Sequence, residues 1–397
     1  MCKDGKILIL KLHDKLLSIL LSGNQILSAR ARHDKTIAVG DIYIGKVQNI
    51  SRNINAAFID LGDKYLTFLP MADAAGAFIV NRKPDGTLKT GDEILVQVAK
   101  EPMKTKLAGV TTRLSLSGRY AVIGTRCSGK NIIQVSSKLS KKLQSRFRSQ
   151  EALQTLSERY QVIVRTNAGT LTEDTPLLDE AEKLAETLTH ILEIADKRTC
   201  YSCLYRSQPD YITFIQNAYR PEYDEIVTDL PDVYETLQAF FKDTDIPIRL
   251  YKDSRLPLYK LYSVEMRIQE LLDKKVWLKS GGYLVIEPTE ALISIDVNTG
   301  KCETGQNPEE TFMKINREAA EMIALQLRAR NLSGMILVDF INLEHKEHEI
   351  LLMEYMRKLL RQDPVTANVV DMTGLGLMEL TRKKVDPCFA EQMRKDN

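Results

Sequence analysis

Ala291-Leu-Ile-Ser-Ile-Asp-Val297, then Asn298-Thr-Gly-Lys301 and Gly305, then Asn307-Pro-Glu-Glu310, and finally Ser333-Gly-Met-Ile-Leu-Val-Asp-Phe-Ile341 form the stretch that decides the fold. The two apolar runs read as buried strands, each with an acid near its end. Between them a helix is announced by Asn307 as N-cap, Pro308 at the first helical position and Glu310 as the reciprocal capping residue. Its apolar face runs Phe312, Ile315, Ala319, Ile323, Leu327. This is strand–helix–strand. If both strands join one sheet they should be parallel, with a right-handed crossover. Asp296 and Asp339 then fall toward the same carboxyl edge, where open α/β sheets bind ligands. A carboxylate inside an apolar strand is costly unless it is paired or holds a cation. Two carboxylates with the amide oxygen of Asn298 are hard ligands suited to Mg²⁺ or Mn²⁺. The competing reading gives each Asp a lysine or backbone partner at a strand end.

Outward from this unit, further strands are expected at 283–287 and 366–371 and a helix at 344–362. Residues 6–31 predict a β-meander, broken at His13-Asp14 and Ser22-Gly23-Asn24. Residues 40–116 predict an all-β segment, with strands near 40–50, 54–61, 65–70, 91–99 and 108–116 and Gly-containing turns, as in a small closed barrel of the OB kind. Along Asn55-Ala-Ala-Phe-Ile-Asp-Leu61, Phe58 shares a face with Asp60, not with Ile59 and Leu61. An aromatic on the polar face suits base stacking, which Phe68 and Tyr43 could extend, with Lys46, Lys106 and Arg113 at the rim. Equally, Phe58 could be covered by a neighbouring domain.

Strands near 119–124, 131–135 and 161–166 and helices over 138–157 and 175–197 follow. Residues 209–275 predict helices near 209–220, 232–241 and 262–274 and a strand at Ile248-Arg-Leu-Tyr251. The strand Val162-Ile-Val-Arg-Thr166 runs into Asn167-Ala168-Gly169, which can offer a guanidinium, a hydroxyl and backbone N–H groups to one phosphate. An ordinary salt bridge at Arg165 is the alternative. Cys200-x-x-Cys203 has no second pair at zinc spacing.

At 397 residues, 44% apolar and 27% charged, the chain is neither disordered nor collagen-like and has material for several modules. Six scattered Cys point to a reducing compartment. The apolar run Leu16–Leu21 is too short to span a bilayer or serve as a signal peptide, so a cytoplasmic protein is expected. The net charge of +2 hides an asymmetry: residues 1–170 carry 27 Lys and Arg against 13 Asp and Glu, and the remainder is acidic. A basic half suggests a polyanion partner.

Taken together, Ile293-Ser-Ile-Asp-Val-Asn-Thr-Gly300, Asn316-Arg-Glu-Ala-Ala320, Leu332-Ser-Gly-Met-Ile-Leu-Val-Asp-Phe-Ile341, Ser280-Gly-Gly, Asn55-Ala-Ala-Phe-Ile-Asp60, Phe68-Leu-Pro70 and Val164-Arg-Thr166 closely resemble the bacterial ribonuclease E/G family. The resemblance implies an α+β, multidomain architecture. It comprises an RNase H-like subdomain (1–36 and 208–275) split by an S1-type OB-fold barrel (37–117) and a 5′-sensor region (118–207), then a DNase I-like catalytic subdomain (276–397). It implies catalytic Asp296, Asn298 and Asp339, with Mg²⁺ held by the two Asp; RNA contacts at Phe58, Phe68 and Lys106; and a 5′-monophosphate pocket of Gly118, Val122, Arg165 and Thr166. The implied activity is endonucleolytic cleavage of single-stranded, A/U-rich RNA such as mRNA or rRNA precursors, giving 5′-phosphate ends. A non-catalytic RNA-binding protein and a metal-dependent phosphatase or exonuclease are the rival readings.

Two departures stand out. After Lys384 the chain lacks the family's Cys-Pro-x-Cys zinc link; Cys388 stands alone, so no structural zinc and no zinc-linked dimer or tetramer is expected. Gly374 lies where some members carry Arg.

Overall fold

The computed structural model describes residues 5–32, 37–63, 65–102, 107–126, 133–242, 244–300 and 308–394. Lys106, Lys301, Gly305 and the expected cap Asn307 lie outside the described residues. The chain divides into two compact units, Met1–Asp34 with Pro221–Asn397, and Lys35–Arg220. Among the described residues no helix is long and apolar enough to cross a membrane.

The first unit begins with β1 (Gly5–Leu12), β2 (Lys15–Ser22) and β3 (Gln25–Arg32), paired antiparallel in sequence order as the expected meander.

The second unit opens with β4 (Ile42–Ser51), β5 (Ala56–Asp60), β6 (Leu66–Pro70), β7 (Glu93–Lys100) and β8 (Ala108–Thr111). They pair in the order β4-β5-β6-β8-β7, and β7 returns to β4, closing a five-stranded barrel. Closure removes the free edges that a small sheet would otherwise expose. Val47, Ile59, Leu69, Val96 and Val110 fill its core. Tyr43 belongs to that core at 5% exposure, so it does not join an outer stacking surface.

Beyond the barrel, β9 (Ser115–Ser117), β10 (Ala121–Thr125), β11 (Ile133–Val135) and β12 (Tyr160–Val164) form a second sheet in the order β11-β12-β10-β9. The end of the strand expected at 108–116 therefore serves this sheet. The helix expected over 138–157 is two, α1 (Lys141–Arg148) and α2 (Glu151–Arg159), because Gln150 is extended. In one unbroken helix Phe147 and Leu153 would point about 120° apart; the break lets both reach the core, where both are buried. In α3 (Thr175–Ala195), Leu177, Ala181, Ala185, Leu188 and Ile191 make the buried stripe. Next, β13 (Cys203–Tyr205) pairs with β4, and α4 (Asp210–Asn217) ends the unit. Cys200 and Cys203 are free thiols.

Returning to the first unit, β14 (Glu225–Thr228) lies parallel to β1 and β15 (Ile248–Leu250) parallel to β14, with α5 (Pro231–Phe240) connecting them. The meander thus becomes a five-stranded sheet, β15-β14-β1-β2-β3, built from both segments of the unit. The helices α6 (Leu258–Leu261) and α7 (Val264–Leu272) lead to the last sheet.

That sheet contains β16 (Lys275–Trp277), β17 (Tyr283–Pro288), β18 (Ile293–Asn298), β19 (Gly334–Asp339), β20 (Ala367–Met372) and β21 (Leu377–Arg382), in the order β16-β17-β18-β19-β21-β20. Only β18 and β19 are parallel, and α8 (Pro308–Ala329) connects them as expected. It packs Ile315, Ala319, Ile323 and Leu327 on one face of the sheet, beside Leu352, Met356 and Leu360 of α9 (Lys346–Leu360). A short α10 (Phe389–Met393) closes the described chain.

The strands β16 and β21 were not expected. β21 alternates Met378, Leu380 and Arg382 inward. The Arg382 guanidinium donates to both carboxylate oxygens of Asp363, at 2.8 and 3.2 Å, and to the carbonyl of Leu332 at 3.0 Å, with the two charged side chains 2% and 4% exposed. Removing one partner of a buried ion pair strands the other charge and costs about 3–5 kcal/mol. Asp363→Ala should therefore lower stability by that amount in urea unfolding. A loss below about 1 kcal/mol would mean that water reaches the guanidinium.

Candidate active site

The pairing of β18 with β19 sets Asp296 directly opposite Asp339. Directly opposed residues on neighbouring strands point to the same face, so both carboxylates project together. One expectation fails here. The strands are not buried on both faces: Ile293, Ile295 and Val297 point into the core while Ser294 and Asp296 are exposed, and Val338 is buried while Asp339 is exposed. The reason is that α8 and α9 cover one face only. The acids therefore carry no burial penalty, and their chemistry rests on their juxtaposition. Asn298, two residues on, shares their face, and its Nδ2 donates to Asp296 Oδ2 at 2.7 Å. That leaves its amide oxygen as a lone-pair group beside the two carboxylates.

The loops around this edge are pinned by α8, through residues whose roles the sequence did not disclose. Asn316 is fully buried. Its Nδ2 donates to the carbonyl of Ile341 at 2.7 Å and its Oδ1 accepts from Ile341 N at 3.0 Å, which fixes the chain just beyond Asp339. Glu318 accepts from the backbone N–H of Lys279 and Ser280, fixing the turn before Gly281. Gly300 follows Asn298 with φ +56°, and a Cβ there would lie 2.4 Å from the carbonyl oxygen of Gly281, so the two glycine segments close on each other. Glu309 accepts from the N–H of Glu344 and from His348 Nδ1 at 2.7 Å, and the backbone donors hold its carboxyl below the usual range. Asn316 sits within the buried apolar stripe of α8, and that mismatch was the readable signal; Glu309 and Glu318, at half-exposed positions, gave none.

In the second unit the structure brings Gly118, Arg165 and Thr166 together. Arg165 donates from its guanidinium to the carbonyl of Gly118 and to Asn217 Oδ1 of α4. Both partners are neutral, and no ion pair to Arg165 occurs among the described residues. Burial pushes its pKa down, partly countered by the charge of Glu180. The Thr166 hydroxyl lies 2.8 Å from that of Ser136. Glu180 of α3 takes the backbone N–H groups of Arg119, Tyr120 and Ala121 at 2.9, 2.7 and 2.9 Å. A Cβ on Gly118 would lie 2.3 Å from Glu180 Oε1, so a larger residue there would displace the carboxylate that takes the three backbone donors. Val122 lies within β10, opposite Ile163, on the face away from the buried Ala121–Val164 pair.

On the barrel, Phe58 and Phe68 are register partners, both half-buried, with ring centroids 6.2 Å apart edge to face. Lys46, opposite Asp60, is exposed; Arg113 donates to the carbonyl of Ala72.

No cluster of three or more His, Cys, Asp or Glu fit for a metal exists among the described residues. The set at 296, 298 and 339 is two carboxylates and an amide. Mg²⁺ is commonly held by one or two carboxylates with the rest of its shell water, so these residues fit such an ion.

Asn316 gives this region a sharp test. Asn316→Ala would leave the N–H and C=O of the half-buried Ile341 without the partners Asn316 gives them, at a cost of about 1 kcal/mol. The melting temperature should fall, and hydrogen exchange at Ile341 should accelerate. Unchanged exchange would show that the clamp does not hold the loop.

The comparison with known proteins supplies the frame for these sites. The model of the ribonuclease E/G family matches residues 115–385, which include Asp296, Asp339 and Arg165. Ribonuclease G of Escherichia coli (strain K12) is 32% identical over 361 residues, spanning 87% of this chain and 73% of that protein. Ribonuclease E of Synechocystis sp. (strain ATCC 27184 / PCC 6803 / Kazusa) is 32% identical over 358 residues, spanning 87% of this chain and 52% of the relative. With a family match over more than half its length and relatives aligned across most of it, the chain belongs to the ribonuclease E/G family.

Proposed function

We propose that this ribonuclease is a cytoplasmic, Mg²⁺-dependent endonuclease that cuts single-stranded, A/U-rich RNA at internal phosphodiesters during RNA processing and decay. The observation that carries the reading is the in-register pairing of Asp296 with Asp339 on an exposed sheet face. A protein that only binds RNA needs no such pair. In this reading Asp296 and Asp339 hold the ion, and the Nδ2–H of Asn298 fixes the orientation of Asp296. When bound, Mg²⁺ supplies Lewis-acid activation of water and offsets negative charge on the phosphate under attack. In-line attack of water on phosphorus breaks the bond to the 3′ oxygen, which leaves with a proton from solvent. The products carry a 5′-phosphate and a 3′-hydroxyl.

The barrel, with Phe58 and Phe68, serves as the RNA-binding S1-type domain. The sheet β15-β14-β1-β2-β3 with its helices is the RNase H-like part, and the β16–β21 sheet is the DNase I-like part. Arg165, with Thr166, Gly118 and Val122, takes the 5′-monophosphate. Among the described residues this half-buried guanidinium is tied to neutral acceptors and forms no ion pair, which supports an anion as its ligand.

Two experiments test the proposal. With a labelled single-stranded oligonucleotide, cleavage should require Mg²⁺ and stop with EDTA. Asp296→Asn and Asp339→Asn should each reduce cleavage to background while RNA binding persists. Near-normal turnover by either variant would sink the metal assignment. Hydrogen bonds to charged groups contribute about 1.5–3 kcal/mol, so initial rates should favour a 5′-monophosphate over a 5′-hydroxyl roughly tenfold to a hundredfold. Arg165→Ala should erase that ratio and leave the 5′-hydroxyl rate nearly unchanged. Equal wild-type rates on the two ends would return Arg165 to a structural role.

A further inference from the structure

The open face that carries the acids extends across β17 to the edge strand β16. Register fixes which residues share it. Lys275 lies opposite Val285, Val285 opposite Asp296, and Asp296 opposite Asp339, so one row across four strands begins with a lysine and ends with the two acids. The next row on the same face is Trp277, Tyr283 and Asn298. Trp277 is the only tryptophan in the chain and is 59% exposed. Its ring centroid is 5.4 Å from that of Tyr283, and the Lys275 ammonium lies 4.2 Å from the Trp277 centroid and 3.6 Å from that of Tyr283. Lys274 is engaged with Glu287 at 3.0 Å, while Lys275 has no carboxylate partner among the described residues.

We propose that Trp277 and Tyr283, with Lys275 against them, form a stacking subsite for an unpaired base of the RNA strand cut at Asp296 and Asp339. The proposal rests on the nuclease reading of the acid pair and adds a specificity-determining contact to it. A large aromatic left exposed on a sheet face forgoes its burial energy, and a second ring beside it makes a platform to which any base can add its π-face. The lysine places a positive charge at the platform, where the strand's phosphates pass. Strands are spaced about 4.8 Å apart, so β16 lies roughly 10 Å across the sheet from β18, a step of a nucleotide or two along an extended strand. Continuity of this row with the acid pair and the lysine's charge favour RNA as the occupant over a second copy of the chain.

The lone tryptophan makes the test direct. In EDTA, a single-stranded A/U oligonucleotide should quench Trp277 emission saturably, with the same midpoint that anisotropy of the labelled oligonucleotide gives. In Mg²⁺, Trp277→Leu should raise KM roughly tenfold or more, with kcat changed by less than about twofold, and Trp277→Phe should recover most of the loss. A substrate trimmed so that no base reaches past the scissile bond should not distinguish the variants. If the oligonucleotide binds and is cut while Trp277 emission is unaltered and Trp277→Leu keeps the wild-type KM, the subsite is wrong. Emission that changes on dilution without RNA would assign the face to self-association and would also overturn it. Failure of the nuclease reading is distinguishable: RNA would then quench Trp277 but never be cleaved.

Discussion

The half of this chain that carries the acid pair depends on one pairing, β18 beside β19 in parallel with Asp296 opposite Asp339. Parallel neighbours cannot be joined by a tight turn, so the pairing needs a long crossover, and α8 supplies it. Its register cannot drift. A slip of one residue would carry Asp339 into the core that now holds Ile336 and Val338 and expel Val338 to solvent. The hydrophobic effect therefore sets the position of two carboxylates that take no part in it. The Asn316 clamp then extends the same order past the end of β19.

The two candidate anion-handling sites follow opposite electrostatic designs. The acid pair is exposed, so its mutual repulsion is screened by water to the order of 1 kcal/mol. A divalent cation turns that repulsion into attraction without paying for burial. Arg165 is the inverse case: its guanidinium is half-buried, burial pushes its pKa down, and its hydrogen-bond partners among the described residues, Gly118 and Asn217, carry no charge. Glu180, whose charge acts on Arg165, directs its own carboxylate to three backbone donors. Among the described residues no carboxylate forms an ion pair with Arg165, so a phosphate reaching it would meet a positive charge.

Periodicity made the strand–helix–strand unit legible, because α8 is long and strongly amphipathic and its flanking strands are apolar enough to be seen. The closed barrel was legible from turn spacing, and the acid pair from its symmetry within the unit. What escaped detection had weak local signal. β16 and β14 are three and four residues long and exist only because neighbours pair with them. β21 carries its identity in the inward Arg382, which reads as surface until Asp363 is found beside it. Tyr43 looked available for stacking because alternation alone cannot say which face of a barrel strand turns inward. The acids looked buried because an apolar run does not reveal that only one face is covered. The Trp277 platform was invisible since β16 was.

The openness of the acid face also bears on substrate size. A small phosphate ester gains affinity from a concave pocket that buries most of its surface. Asp296 and Asp339 instead lie on a sheet surface with Ser294 exposed beside them and Met335 farther along at 57% exposure. Such a face offers little to a monoester and much to a polymer, because each remote contact of an extended strand raises the effective concentration of the scissile phosphate at the acids. Binding energy gathered away from the reacting bond can then be spent on holding phosphorus in line for attack. Among the described residues the acids lie on an open sheet face, a geometry that suits an extended strand better than a small phosphate ester.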